Sequence, residues 1–166
     1  MKLRHLFFAC SGVFVMMFSL LLLVVIVFSD EEDGGSSENL IYGGVSISQE
    51  VLAHKPMLEK YAREYGIEEY LNVLLAIIQV ESGGTLEDVM QSSESLGLPP
   101  NSLSTEESIK QGCKYFSELL AAAETKGCDL NSVIQSYNYG GGFLDYVAGR
   151  GKKYTFELAE SFARDK

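Results

Sequence analysis

The sequence has no tryptophan, two histidines, three cysteines and three prolines. His5 and His54 lie far apart, and Cys10, Cys113 and Cys128 lack the close ligand spacing of a zinc site, so no metal centre is expected. Positive charge is scarce as well. Thirteen Lys and Arg stand against 23 Asp and Glu, a net charge of −10. From residue 30 onward 11 bases face 23 acids. That balance provides no basic footprint for a nucleic acid and no bulk attraction to an anionic membrane or wall polymer. No stretch alternates apolar and polar residues with period two, which argues against a sheet protein. Internal repeats are missing too. What the chain does have is 46% hydrophobic residues, too many for a disordered polymer.

Charge is also absent from Leu6 to Phe28, 23 residues in a row. About 20 apolar residues in a helix cross a bilayer core. A secretory signal has a shorter apolar stretch and small residues at its cleavage site, and Val27-Phe28-Ser29-Asp30 is a poor match. Residues 6–28 are therefore expected to be a retained signal anchor. Lys2, Arg4 and His5 flank one side and Asp30 to Asp33 the other, which places residues 1–5 in the cytoplasm and the bulk of the chain outside the cell. Residues 29–46, acidic and then rich in Gly and Ser, are expected to form a flexible linker.

The remainder, residues 47–166, has helical periodicity and predicts an all-α domain with one modest core. Ser48 is placed to cap a helix carrying Val51, Leu52, Leu58 and Tyr61, with Pro56 breaking or restarting it and Gly66 ending it. Thr105-Glu106-Glu107-Ser108 approximates a capping box and opens a long amphipathic helix that Gly127 stops. Asn131–Tyr137, Phe143–Ala148 and Tyr154–Ala163 are three further helical segments, the first two parted by Gly140-Gly141-Gly142. Cys113 belongs to the long helix and Cys128 lies past its end. A straight helix between them holds the sulfurs too far apart for a disulfide, so two free cysteines are expected.

Three segments carry chemistry. Leu71 to Ser82 is apolar on all faces, which predicts a central buried helix, and it delivers Glu81 at its C-terminal end before Ser82-Gly83-Gly84. Apolar surroundings and the negative end of the helix dipole both disfavour an ionised carboxylate there. A carboxyl kept protonated near neutral pH is what a general acid requires. A Glu at a helix end is, however, most often merely solvated. Asp88 to Ser95 gathers carboxylates, an amide and hydroxyls that suit sugar recognition, although such a run alone is usually a turn. Tyr137-Asn138 before the glycine triplet offers an aromatic face and an amide beside open backbone, or simply a glycine-capped helix end.

Glu81-Ser82-Gly83-Gly84, Asp88 through Ser95 and Tyr137-Asn138-Tyr139-Gly140-Gly141-Gly142-Phe143, in that order, resemble the lysozyme-like superfamily. The likeness extends over roughly Ser48 to Lys166. It is closest to the lysozyme-like domains, related to lytic transglycosylases, of Gram-positive cell-wall hydrolases encoded on conjugative elements. The resemblance implies a muramidase that cuts peptidoglycan glycan between N-acetylmuramic acid and N-acetylglucosamine, with Glu81 as general acid and no cofactor. It places Ser82, Asp88, Gln91, Ser92, Glu94, Tyr137 and Asn138 along the glycan. Asp88 and Glu94 are the nearby candidates for a second carboxylate. Without one, the muramic acid's own groups complete a transglycosylation. A membrane-tethered module that binds peptidoglycan without cutting it, and a helical ectodomain packed on a membrane partner, are the non-enzymatic alternatives. The resemblance also suggests a conjugation secretion apparatus as partner. Two departures stand out. Val89 takes a place where the family leads us to expect Pro, which predicts a looser loop. Such relatives often continue into a cysteine-peptidase domain, whereas this sequence ends at Lys166, so at most one wall-cutting activity is expected.

Overall fold

The structure, a computed structural model, describes residues 41–42 and 45–165. The expected anchor at 6–28, the segment before it and most of the linker lie outside these residues. Among the described residues no helix is long and apolar enough to cross a membrane. Within the stretch expected as linker, β1 (Ile41–Tyr42) and β2 (Val45–Ser46) pair antiparallel, Tyr42 opposite Val45. The sequence between them is Gly43-Gly44, a dipeptide that tight hairpins favour. Every other regular element among the described residues is helical.

Helix α1 (Gln49–Ala53) starts at Ser48, whose hydroxyl accepts from the Val51 N–H at 3.3 Å. The chain breaks at His54, and α2 (Lys55–Glu64) restarts with Pro56 in its first turn, where a missing N–H does no harm. A 3₁₀ turn, Glu68–Tyr70, leads into α3 (Leu71–Glu81). Six consecutive residues of α3, Val73 to Ile78, are buried, so this helix is surrounded on all sides. A second 3₁₀ turn, Ser92–Leu96, precedes α4 (Thr105–Lys126). The capping box of α4 is formed by Ser104 and Glu107, one residue earlier than Thr105 and its neighbours suggest. Gly127, in the left-handed conformation, ends α4. Then come α5 (Leu130–Tyr139), capped by Asp129, α6 (Gly142–Ala148) and α7 (Phe156–Asp165).

The main core joins α3 to Val51 of α1, Leu58 of α2, Ile109, Cys113 and Phe116 of α4, and Val133 and Ile134 of α5. A fully buried Leu, Ile or Phe side chain contributes roughly 1.5–3 kcal/mol over its exposed state, so α3 is the mechanical centre of the domain. A smaller aromatic cluster, Tyr139, Phe143 and Phe162 with Tyr146 and Tyr154, binds α6 and α7 to the end of α5. Cys113 is buried, Cys128 is half-buried, and both are free thiols. Burial pushes the Cys113 thiol up to about 12, which leaves it inert.

Candidate active site

Glu81 is the last residue of α3, half-buried where that central helix reaches the surface. Its carboxyl is pushed up to about 8, first by burial and then by the nearby negative charges of Glu94 and Asp88. The group therefore holds its proton at neutral pH. Its position is set behind it. Gly83 and Gly84 turn the chain with φ of +61° and +76°. A Cβ on Gly84 would lie 2.8 Å from the backbone of Glu50 and Val51, so only glycine lets α1 seat against this turn. The His54 ring Nε2 donates to the Gly84 carbonyl at 2.9 Å and fixes the turn from the other side.

The loop after the turn is built on Asp88, which is fully buried. Its Oδ1 accepts from the Ser92 N–H at 2.9 Å and the Ser108 hydroxyl at 2.6 Å, and its Oδ2 accepts from the Ser93 N–H at 3.2 Å. Ser108 accepts in turn from the Met90 N–H at 3.0 Å, and the Ser92 hydroxyl donates to the Ser108 carbonyl at 2.9 Å. Ser82 donates to the Val89 carbonyl at 2.7 Å and accepts from the Gly84 N–H at 3.0 Å. Ser82, Asp88 and Ser92 thus direct their polar groups inward, where they hold the loop. These bonds engage the polar atoms that the sequence reading set along the glycan. Val89 is fully buried, and its N–H donates to the Glu87 carbonyl at 2.9 Å, a bond that proline cannot make.

Gln91, Glu94, Tyr137 and Asn138 do come together. With Ser95, Tyr115, Tyr139 and Gly140 they line a cavity of about 250 Å³. Glu81 is not part of that lining, yet it is close enough for its charge to raise the Tyr137 phenol, after burial the largest cause of that shift. Tyr137 is positioned by its hydroxyl, which donates to the Met90 carbonyl at 3.1 Å, and by the Tyr115 ring, whose centroid lies 5.5 Å from its own. Both depend on Gly112 in α4. A Cβ there would stand 2.5 Å from the Met90 sulfur and 2.8 Å from the Tyr137 oxygen. Glu94 is exposed on the cavity wall. A second cavity, about 500 Å³, lies elsewhere, between the 3₁₀ turn Glu68–Tyr70, α4 and the start of α5. It contains none of the residues expected at the site. Among the described residues no group of three His, Cys, Asp or Glu is placed to hold a metal ion.

Ser95, Tyr139 and Gly140 lie within the segments read from the sequence, whereas Tyr115 lies outside them. Tyr115 had a signal: Ser108, Gly112 and Tyr115 recur at spacings of four and three along α4, a stripe that faces the loop and α5.

The lysozyme-like family model matches residues 48–166. The chain is 45% identical over 124 residues to a protein of Bacillus subtilis named bifunctional muramidase/DL-endopeptidase CwlT, covering 74% of this chain and 37% of that protein. It is 37% identical over 121 residues to the uncharacterized membrane protein YocA of the same organism, covering 72% of this chain and 54% of that one. A crystal structure of a protein described as similar to a lipoprotein of the NLP/P60 family, from Staphylococcus aureus, superposes with a TM-score of 0.73 at 74% identity. That match covers 74% of this chain and 41% of the other. The chain thus spans about a third to a half of the length of these relatives.

Proposed function

Because the chain belongs to the lysozyme-like family, we propose that it is a glycosidase that cuts the glycan strand of peptidoglycan between N-acetylmuramic acid and N-acetylglucosamine. The observation that carries this reading is Glu81, a carboxyl pushed up to about 8 at the end of a buried helix, beside a cavity walled by Gln91, Glu94, Tyr137 and Asn138. The likeness to a relative named as a muramidase agrees with it. Glu81 gives its proton to the glycosidic oxygen as the bond from that oxygen to the anomeric carbon breaks. Water then adds to the carbon and its proton passes to a base. Asp88 is engaged by three internal donors, so Glu94, exposed on the wall, is the carboxylate left to take that proton. Tyr137 and Asn138 hold a sugar beside the cut, while Ser82, Asp88 and Ser92 position the loop.

A lytic transglycosylase is the second reading, favoured by the engagement of Asp88, which reduces the available carboxylates near Glu81. In that reaction the muramic acid's own hydroxyl adds in place of water. We place the domain outside the cell on the anchor at 6–28, where it opens wall locally, as a conjugation secretion apparatus requires.

The test is the full chain in detergent micelles with purified peptidoglycan, and Glu81→Gln beside it. Mass spectrometry of the fragments is expected to show hydrated reducing ends from the parent and at least a hundredfold less product, roughly, from the variant. Fragments lighter by one water establish the transglycosylase instead. Binding without release removes the catalytic role.

A further inference from the structure

Gln91 and Asn101 are two of three non-glycine residues with positive φ among those described, at +47° and +58°. Such backbones are uncommon and persist where the surroundings hold them. These two hold each other. The Gln91 Nε2 donates to the Asp88 main-chain carbonyl at 2.8 Å and to the Asn101 Oδ1 at 2.8 Å. A main-chain carbonyl only accepts, so the nitrogen end of the Gln91 amide must face it, and Asn101 must then turn its oxygen toward that nitrogen. A primary amide has two N–H groups, and both are now engaged. What Gln91 retains for the cavity is Oε1, an acceptor alone.

Asn101 is itself held by its turn. Pro99-Pro100 precedes it, and the Ser102 hydroxyl donates to the Pro99 carbonyl across it. Proline followed by asparagine with positive φ is the residue pair that a type II turn favours. The turn sets Asn101 so that its Oδ1 meets the Gln91 amide of the loop that follows Asp88.

We propose that Asn101 is a positioning residue which locks the Gln91 amide, so that this wall of the cavity offers only an acceptor and selects a sugar that donates a hydrogen bond there, through an acetamido N–H or a hydroxyl. The identity of the ligand rests on the proposed function; the lock does not. Two variants separate backbone from side chain. Asn101→Gly keeps the left-handed backbone and removes the acceptor. Asn101→Asp keeps an acceptor on a residue that tolerates the same backbone. The full chain in detergent micelles is measured in two ways: hydrogen exchange of the Gln91 side-chain amide by NMR, and KM and kcat on soluble glycan strands from peptidoglycan. In the parent and Asn101→Asp the Gln91 amide protons are protected. In Asn101→Gly the protection is lost and KM rises about 3- to 10-fold while kcat stays within about twofold, the loss of one ground-state hydrogen bond. Unchanged protection and KM in Asn101→Gly overturn the lock, as does an Asn101→Asp equally impaired. A parent that turns over no glycan, with the amide response intact, overturns the proposed function and leaves the lock standing.

Discussion

Glu81 carries a proton that an ordinary glutamate would have released, and this has a signature separate from catalysis. Its folded-state value is about 8 against an ordinary value of 4.5. Below pH 4.5 both folded and unfolded chains hold the proton, and the group does not oppose folding. As pH rises from there toward 8, the unfolded chain releases the proton first, so folding loses stability across that window. Glutamine has nothing to release. Glu81→Gln is therefore expected to melt higher than the parent at pH 9, with the difference shrinking as pH falls to 5. Thermal unfolding across that range checks it, and a difference independent of pH contradicts the elevated value. On the proposed function, the parent's turnover is expected to decline as pH rises through about 8, where Glu81 loses its proton.

At the scale of elements, the site depends on how closely α4 approaches the loop and α5. Gly112 is the point of contact, with the Met90 sulfur and the Tyr137 hydroxyl where a side chain would begin. Both neighbours are buried, so neither has room to retreat. Gly112→Ala is expected to cost about 1–3 kcal/mol by overpacking, despite the better helix propensity of alanine, and to tilt Tyr137 away from the cavity. Urea unfolding together with the near-ultraviolet circular dichroism of the tyrosines would show both; a variant as stable as the parent contradicts the packing described. The helices themselves were legible in the sequence because caps and apolar periodicity are local. Ser48, Pro56 and Gly127 mark boundaries where the structure has them. The cap of α4 lies at Ser104 because Glu107 stands three residues on, whereas the residue three past Thr105 is Ser108, too short to reach back to the cap. The direction of polar side chains was less legible. Whether Asp88 and Ser92 turn in or out is decided by Ser108, on a helix that begins more than a dozen residues later. Tyr115 and Asn101 matter through such distant pairings as well.

For the whole molecule, charge is the dominant feature. A chain with 23 acids and 13 bases has no bulk electrostatic attraction to anionic wall polymers. Binding to purified Gram-positive wall is expected to hold steady or rise when salt increases from about 20 to about 200 mM, because screening at a Debye length near 8 Å weakens repulsion here rather than attraction. Sedimentation with wall at the two ionic strengths measures it, and a marked loss of binding at high salt contradicts recognition through the cavity.

The junction at Ser48 has a mechanical consequence. The Ser48 N–H donates to the Gln79 Oε1 at 2.7 Å, and β1 lies beside α3. Tension drawn along the chain toward Ile41 is therefore delivered to α3 two residues before Glu81, ahead of α6 and α7 at the other end of the chain. The helix that ends on the acid is the first part of the domain to feel a pull.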